Sequence, residues 1–451
     1  MELISQIPVF GGFISTMIAF IGMLGIVVFV HEYGHYIVGR WCGIHAEVFS
    51  LGFGPVFWSR TDKRGTKWQL AAIPFGGYVK FLGDRNAASA AAPEVMAAMD
   101  PNERNRSFPG AALYKRALTI VAGPMANFIL GAVIFTGLVL WQGTLTEVPT
   151  VGKVLELPTG MVGLESGDVI LEIEGQKVAS FGEIVDQTQA MTTAGRMEIL
   201  VLRNEEEVLV STPYLFPPAV DSVVPLSAAS DAGIESGDVI LQADEQVLVS
   251  FGDLKRIVEA AEGTEIVLKI WRAGETFDIE IAPQMRELPD GDGGIEKRYL
   301  IGVNGSFAFQ PATETPPIWR AGYIGIKRVG RVITVSLDSI KHIIIGNLSP
   351  KNLQGPIGIA QISKATASQG IVSFIAFIAG MSVSIGMLNL FPIPMLDGGH
   401  LMFYAIELVQ RKPVGDKVVH VSILMGLGLV LMLMVFVTYN DIARIIGSLV
   451  S

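Results

Sequence analysis

Val28 to Arg40 reads VFVHEYGHYIVGR, and within it His31, Glu32 and His35 form a His-Glu-x-x-His pattern. Residues four apart on a helix share a face, so both imidazoles can reach one metal ion. Glu32 lies beside them, placed to take a proton from water that the ion activates. A catalytic zinc needs a third protein ligand and keeps one position for water. Two residues compete for that role in NLFPIPMLDGGH, Asn389 to His400. Asp397 is the only acidic residue between Asp338 and Glu407. Its charge would partly neutralise a dication in a low-dielectric setting, which favours it over His400. His400 then reads as a supporting or helix-surface residue.

The elements that must position these groups are membrane spans. Half of the 451 residues are hydrophobic and 17% are charged, too apolar a balance for an ordinary soluble chain. Four uncharged stretches are candidate spans: Val9 to Val30, Ala117 to Trp141, Ile371 to Leu396 and Val421 to Thr438. The fourth is the shortest and needs its flanks to cross. The first is no cleavable signal, because it has no basic leading region and runs straight into the His-Glu-x-x-His pattern. Pro392 and Pro394 must interrupt the third span just before Asp397, which is tolerated at membrane depth where backbone lines a watery cavity. Basic residues, among them Arg40, Lys63, Arg64, Lys67, Lys115 and Arg116, gather between the first two spans, and Arg411, Lys412 and Lys417 between the last two. By the positive-inside rule these loops are cytoplasmic, and both termini and residues 142–370 lie outside. The net charge of −10 argues against a nucleic-acid partner, and the lone Cys42 allows no intrachain disulfide.

The outer region is a duplication. GLESGDVILEIEGQKVASFGEI, Gly163 to Ile184, recurs as GIESGDVILQADEQVLVSFGDL, Gly233 to Leu254, with 12 of 22 positions identical. Each copy reads as a turn, two short strands and a helix opening at Ser-Phe-Gly, followed by alternating strands. The G-[LI]-E-S-G-D-V-I-L core resembles PDZ domains of the bacterial protease kind. That resemblance implies binding of peptide segments or C-termini by strand addition. The competing roles are a spacer, or a steric filter over the membrane part.

Taken with HEYGH on the first span, NLFPIPMLDGG on the third span resembles the site-2 protease family of intramembrane zinc metalloproteases. The tandem repeat narrows the resemblance to the bacterial regulator of sigma-E protease type, and GFGP, GGYVKF, VAGPMANFILG and GPIGIA extend it along the chain. It implies Zn2+ held by His31, His35 and Asp397, Glu32 as catalytic base, and Asn389, Pro392 and Pro394 in a segment that helps hold substrate. It also implies a bacterial inner membrane location with periplasmic PDZ domains and termini. The implied substrates are single-span membrane proteins, anti-sigma factors already trimmed on their outer side. EVFSLGFGPVFWSR and TKWQLAAIPFGGYVKF, joined by the polar TDKRG, read as two β-runs. The resemblance makes them a β-hairpin dipping into the bilayer, and the alternative is an ordinary surface hairpin.

The fold class so reached is an α-helical membrane protein of four transmembrane helices with a membrane-associated β-hairpin and two inserted α+β PDZ domains. The expected layout is 1–47, first span; 48–116, cytoplasmic loop with hairpin; 117–141, second span; 142–215 and 216–288, PDZ domains; 289–370, linker and amphipathic helices; 371–410, third span; 411–451, fourth span. Asn86 to Ser107 reads as a mobile loop. Trp319 to Ile345 reads as a helix on the outer membrane surface or packed under the PDZ pair. A non-catalytic PDZ membrane scaffold is the alternative function, and it should have lost Glu32 or Asp397. A metal transporter should carry inverted repeats, which the sequence lacks.

Overall fold

The computed structural model describes residues 11–84, 99–158, 163–190, 196–289 and 294–450. Val9, the start of the first expected span, and residues 86–98 of the expected mobile loop lie outside this set. The chain divides into two compact units, one of residues 1–138, 318–344 and 350–451, the other of 139–317 and 345–349.

The first unit is built on long apolar helices. They are α1 (Gly11–Trp41), α3 (Leu113–Gln142), α9 (Ile371–Asn389) and α11 (Asp416–Val450), with the short α2 (Pro101–Arg106) before α3. Windows within these four, Ile14–Trp41, Leu113–Gln142, Ile371–Asn389 and Lys417–Gly447, are long and apolar enough to cross a membrane. The flanks of the fourth stretch do complete it: α11 runs 35 residues. It leaves Leu424, Met425, Met432 and Val435 exposed, as a helix facing lipid would. The third span is shorter than its apolar run, because Pro392 and Pro394 cannot continue the hydrogen-bond ladder past Asn389. The chain restarts as α10 (Asp397–Gln410). Gly398 fits this break only because it has no Cβ, which would collide with the carbonyls of Leu390 and Phe391.

Between these helices lie α7 (Ile318–Ile345) and α8 (Pro356–Ser368). Ala321, Gly325 and Val329 form the buried stripe of α7, and Val329 packs with Phe135 and Leu138 of α3 and Val383 of α9. This segment is therefore packed on the membrane-type helices. Ala360 of α8 packs with Phe20, Met23 and Val27 of α1. Asp441 of α11, 1% exposed, accepts from the amides of Gly355 (3.2 Å) and Gly358 (2.8 Å). It thereby satisfies two of the free donors at the start of α8.

β1 (Ala46–Thr61) and β2 (Lys67–Phe81) pair antiparallel around a turn in which Asp62 accepts from the amides of Arg64 and Thr66. The pairing is more than the simple hairpin read from the sequence. Trp58 to Thr61 pairs with Lys67 to Leu70, and Ala46 to Leu51 pairs with Gly77 to Phe81. Val48 to Leu51 also sits opposite Lys67 to Leu70. Both runs bend at their glycines, Gly52 and Gly54 at φ near +85° and Gly76 at +136°. The two bent strands thus fold into four adjacent segments, with Gly77–Phe81 along one margin.

The second unit contains the duplicated modules. In the first, β5 (Val169–Ile173), β6 (Gln176–Lys177), β7 (Arg196–Arg203) and β8 (Glu206–Pro213) form a sheet ordered β6-β5-β7-β8, with α4 (Phe181–Ala190). In the second, preceded by α5 (Ala228–Asp231), β10 (Val239–Ala243), β11 (Gln246–Val247), β12 (Ile266–Arg272) and β13 (Glu275–Ile281) form a sheet ordered β11-β10-β12-β13, with α6 (Phe251–Ala260). Both contain the same internal lock. Arg203 donates to Asp168 through Nε (2.8 Å) and Nη2 (2.7 Å), and Arg272 to Asp238 (2.6 and 2.7 Å). Such bidentate pairs fix the Glu-Ser-Gly-Asp loop to the end of the following long strand.

The stretch after the second module, expected as linker, contains further strands. β14 (Gln284–Pro289) pairs with β15 (Ile295–Leu300). β16 (Val303–Gly305) pairs with β9 (Val220–Val223) of the second module, β17 (Phe309–Pro311) with β4 (Val151–Val154) of the first, and β18 (Thr313–Glu314) with β3 (Thr144–Leu145). Phe309 is fully buried in the first module's core. Phe181 and Phe251, equivalent residues of the two copies, join Phe216, Phe307 and Phe309 in a chain of ring contacts 5.4 to 6.5 Å between centroids. The two copies are thus interlocked, and the helical connector begins only at Ile318.

Candidate metal centre

His31 and His35 lie on α1 with their imidazoles turned to one side, and Asp397 opens α10 opposite them. His31 Nε2 stands 3.2 Å from His35 Nε2, and Asp397 Oδ2 stands 3.2 Å and 3.4 Å from the two nitrogens. His31 and His35 are 8% and 7% exposed. Asp397 Oδ2 is buried and receives no hydrogen bond among the described residues. His35 Nδ1 donates to the Thr119 carbonyl (2.9 Å), which assigns the lone pair of that ring to Nε2. The His35 lone pair, a carboxylate oxygen that receives no hydrogen bond and His31 Nε2 therefore converge on one point, an arrangement that suits a cation.

The spacing suits a small tetrahedral cation. Ligands about 2.0–2.1 Å from a tetrahedral zinc lie about 3.3 Å from one another. The three separations here are 3.2, 3.2 and 3.4 Å. Two imidazoles and one carboxylate also match the donor preference of zinc, and they leave a fourth position open. These residues fit a zinc ion without rearrangement.

Close helix packing holds the site. Gly34 sits where α1 meets α3: a Cβ there would collide with the Ala122 carbonyl oxygen and stand 2.7 Å from Ala126 Cβ. Gly123 of α3 lies directly against the His35 ring, leaving no space for a side chain. One turn further on, Asn127, fully buried, places Nδ2 3.3 Å from His31 Nδ1. The sequence reading did not single out Thr119, Gly123 or Asn127. The available signal was Asn127 itself, an amide in the middle of an apolar span, where polar side chains are costly.

Glu32 is half-buried under the sheet. A Cβ on Gly77 would stand 3.0 Å from Glu32 Cγ and from Val28 Cγ1, so the Gly77–Phe81 margin passes directly over the helical turn that bears the glutamate. Aromatic contacts seat the sheet on α1. Phe49 stacks on Trp68 (4.3 Å), and both meet Tyr36 edge-on (5.8 and 5.2 Å), while Phe29 reaches Phe49 at 5.7 Å.

Of the other expected site residues, Asn389 comes to the cluster itself, its Nδ2 3.3 Å from His31 Nε2. Pro392 and Pro394 lie in the break between α9 and α10, before Asp397. His400 lies one turn beyond Asp397 and is not in the three-residue cluster.

The sequence model of Peptidase family M50 matches residues 19–433. Among similar proteins, one from Agrobacterium fabrum named as a zinc metalloprotease is 36% identical over 442 residues, covering 97% of this chain and 98% of that one. A Haemophilus influenzae protein named regulator of sigma E protease is 32% identical over 470 residues, covering 96% of this chain and all of that one. A Neisseria meningitidis protein, also named as a zinc metalloprotease, is 32% identical over 464 residues, covering 96% and 100%.

Proposed function

The chain belongs to peptidase family M50 and is a zinc metalloprotease of a multi-pass membrane protein type; from that premise we propose that it hydrolyses peptide bonds inside the transmembrane segments of single-span proteins. The observation that carries the reading is the convergence of Asp397, which follows the third candidate span, on His31 and His35 of a helix long and apolar enough to lie in a bilayer. His31 precedes Arg40 by nine residues, roughly 13 Å of helix at 1.5 Å per residue. That depth suits a substrate held in the membrane.

The residues divide the work as follows. His31, His35 and Asp397 bind the zinc. When bound, zinc polarises the scissile carbonyl and acidifies water at the fourth position. Glu32, next to His31 on the same helix, accepts the proton from water and passes it to the departing amine. A transmembrane helix must unwind to expose its carbonyls, and the unwound strand needs replacement hydrogen bonds. The Gly77–Phe81 margin, passing over Glu32, can supply them by strand addition. The amide of Asn389, beside His31, can hold the unwound chain. The duplicated modules are PDZ-like domains that receive the outer part of the substrate or filter its size. The chain sits in a bacterial inner membrane with both basic loops in the cytoplasm and the modules in the periplasm. Anti-sigma factors, already cut on the outer side, are the substrates suggested by the name of the Haemophilus relative.

The test is to incubate detergent-purified protein with single-span substrates carrying trimmed or intact outer domains and to locate the cuts by mass spectrometry. Cuts within the apolar segment, abolished by a zinc chelator and faster for trimmed substrates, are expected. Cuts confined to soluble flanking segments would refute intramembrane cleavage.

A further inference from the structure

The two histidines on α1 are matched, turn for turn, by two residues on α3. Gly123 accommodates the His35 ring and Asn127, four residues on, meets His31 at Nδ1. A metal ligand of this kind must offer Nε2 as a lone pair, so the hydrogen of the neutral ring belongs on Nδ1. Only an acceptor can then sit opposite Nδ1. A carboxamide presents nitrogen or oxygen at the same place after a half turn about its terminal bond, so the surrounding chemistry decides which one faces the ring.

Three observations decide it. With Nδ2 toward His31, Asn127 Oδ1 is buried and has no donor among the described residues; with Oδ1 toward the ring, that oxygen is satisfied. The Asn389 amide approaches His31 Nε2 at 3.3 Å, and with its Nδ2 toward the ring its N–H finds an acceptor in an Nε2 lone pair. The Asn127 main chain is itself fixed, since Ser382 Oγ of α9 donates to its carbonyl at 3.0 Å. The amide therefore acts from an anchored turn rather than from a loose side chain.

We propose that Asn127 is a positioning residue that accepts a hydrogen bond from His31 Nδ1–H through its carboxamide oxygen, locking the ring in the tautomer that offers Nε2 to the metal. Together with His35 Nδ1–H donating to Thr119 O, it completes a pair of acceptors supplied by α3 to the two imidazoles of α1. The inference rests on the reading of His31 as a zinc ligand.

The test measures zinc affinity of the full-length protein in detergent by competition with a chromogenic chelator, together with the melting temperature of the zinc-free form. Asn127→Leu keeps the shape and loses the acceptor, and its zinc affinity should fall about 10- to 100-fold. Asn127→Asp keeps the shape and the acceptor, and should stay near the wild-type affinity. A role confined to packing would lower the melting temperature of the variants and leave both affinities unchanged, which would overturn the proposal, as would equal loss of affinity in both. His31→Ala separates the two layers of inference. If it binds zinc as tightly as wild type, the ligand reading itself fails. If it loses zinc while Asn127→Leu does not, only the positioning role fails.

Discussion

Gly34→Ala is the perturbation whose consequence can be followed furthest. The added Cβ would meet the Ala122 carbonyl and stand 2.7 Å from Ala126 Cβ. Carbon atoms sit at about 3.5 Å or more at their contact optimum, so α1 and α3 must separate by about 0.8 Å. None of the obstructing atoms is the far end of a flexible side chain that could swing away. The same separation lengthens the His35 Nδ1–Thr119 O hydrogen bond from 2.9 Å to about 3.7 Å, and the His31–Asn127 contact from 3.3 Å to about 4.1 Å, both beyond hydrogen-bonding range. Overpacking of this kind costs about 1–3 kcal/mol of stability. With His31 and His35 as the proposed zinc ligands, loss of the groups that orient their rings should weaken zinc binding about 10- to 100-fold. Gly25→Ala on the same helix is the control, because a Cβ there meets nothing within 4 Å. Chelator competition on both variants in one detergent checks the claim. Wild-type zinc affinity in Gly34→Ala would refute the argument that close packing of α1 on α3 maintains the site.

Two further consequences concern the rest of the molecule. Burial pushes the Asp168 carboxyl upward, but hydrogen bonds from Arg203 and the Glu165 amide outweigh it and hold the group below the ordinary carboxylate value. A depressed carboxylate contributes stability above its unfolded value and loses it as pH falls through the folded one. Hydrogen-exchange protection of β5 and β7 in the full-length chain should therefore drop in acid, and Arg203→Met should lower it by about 3 kcal/mol at neutral pH and flatten the dependence. Asp441→Leu should leave the Gly355 and Gly358 amides without their acceptor, at a cost of about 1–3 kcal/mol in the thermal unfolding of the protein.

Much of the site is legible in the chain because its chemistry is expensive. His31, Glu32, His35 and Asp397 stand out as ionisable groups in apolar surroundings, and helical spacing alone aligns the histidines. The duplicated modules are equally plain, since identity at a fixed offset needs no structural knowledge. What the chain conceals is pairing between distant elements. Helical periodicity shows that Gly123 and Asn127 share a face of α3, but not that this face meets α1. Val48 to Leu51 takes partners on two sides, and alternation along a strand does not report how many neighbours it has. The strands at 303–305 and 309–311 are three residues each, too short to carry a pattern, and they pair across 80 to 160 residues of sequence. The prolines at 392 and 394 did announce the break before Asp397, because proline removes a donor wherever it stands.

The proposed role of Glu32 is proton transfer at a zinc held by His31, His35 and Asp397. The direct measurement compares wild type with Glu32→Gln for zinc content and for cleavage of one single-span substrate. Glu32→Gln should retain zinc at the wild-type level and cleave at least about 100-fold more slowly. Cleavage by Glu32→Gln at the wild-type rate would contradict that role.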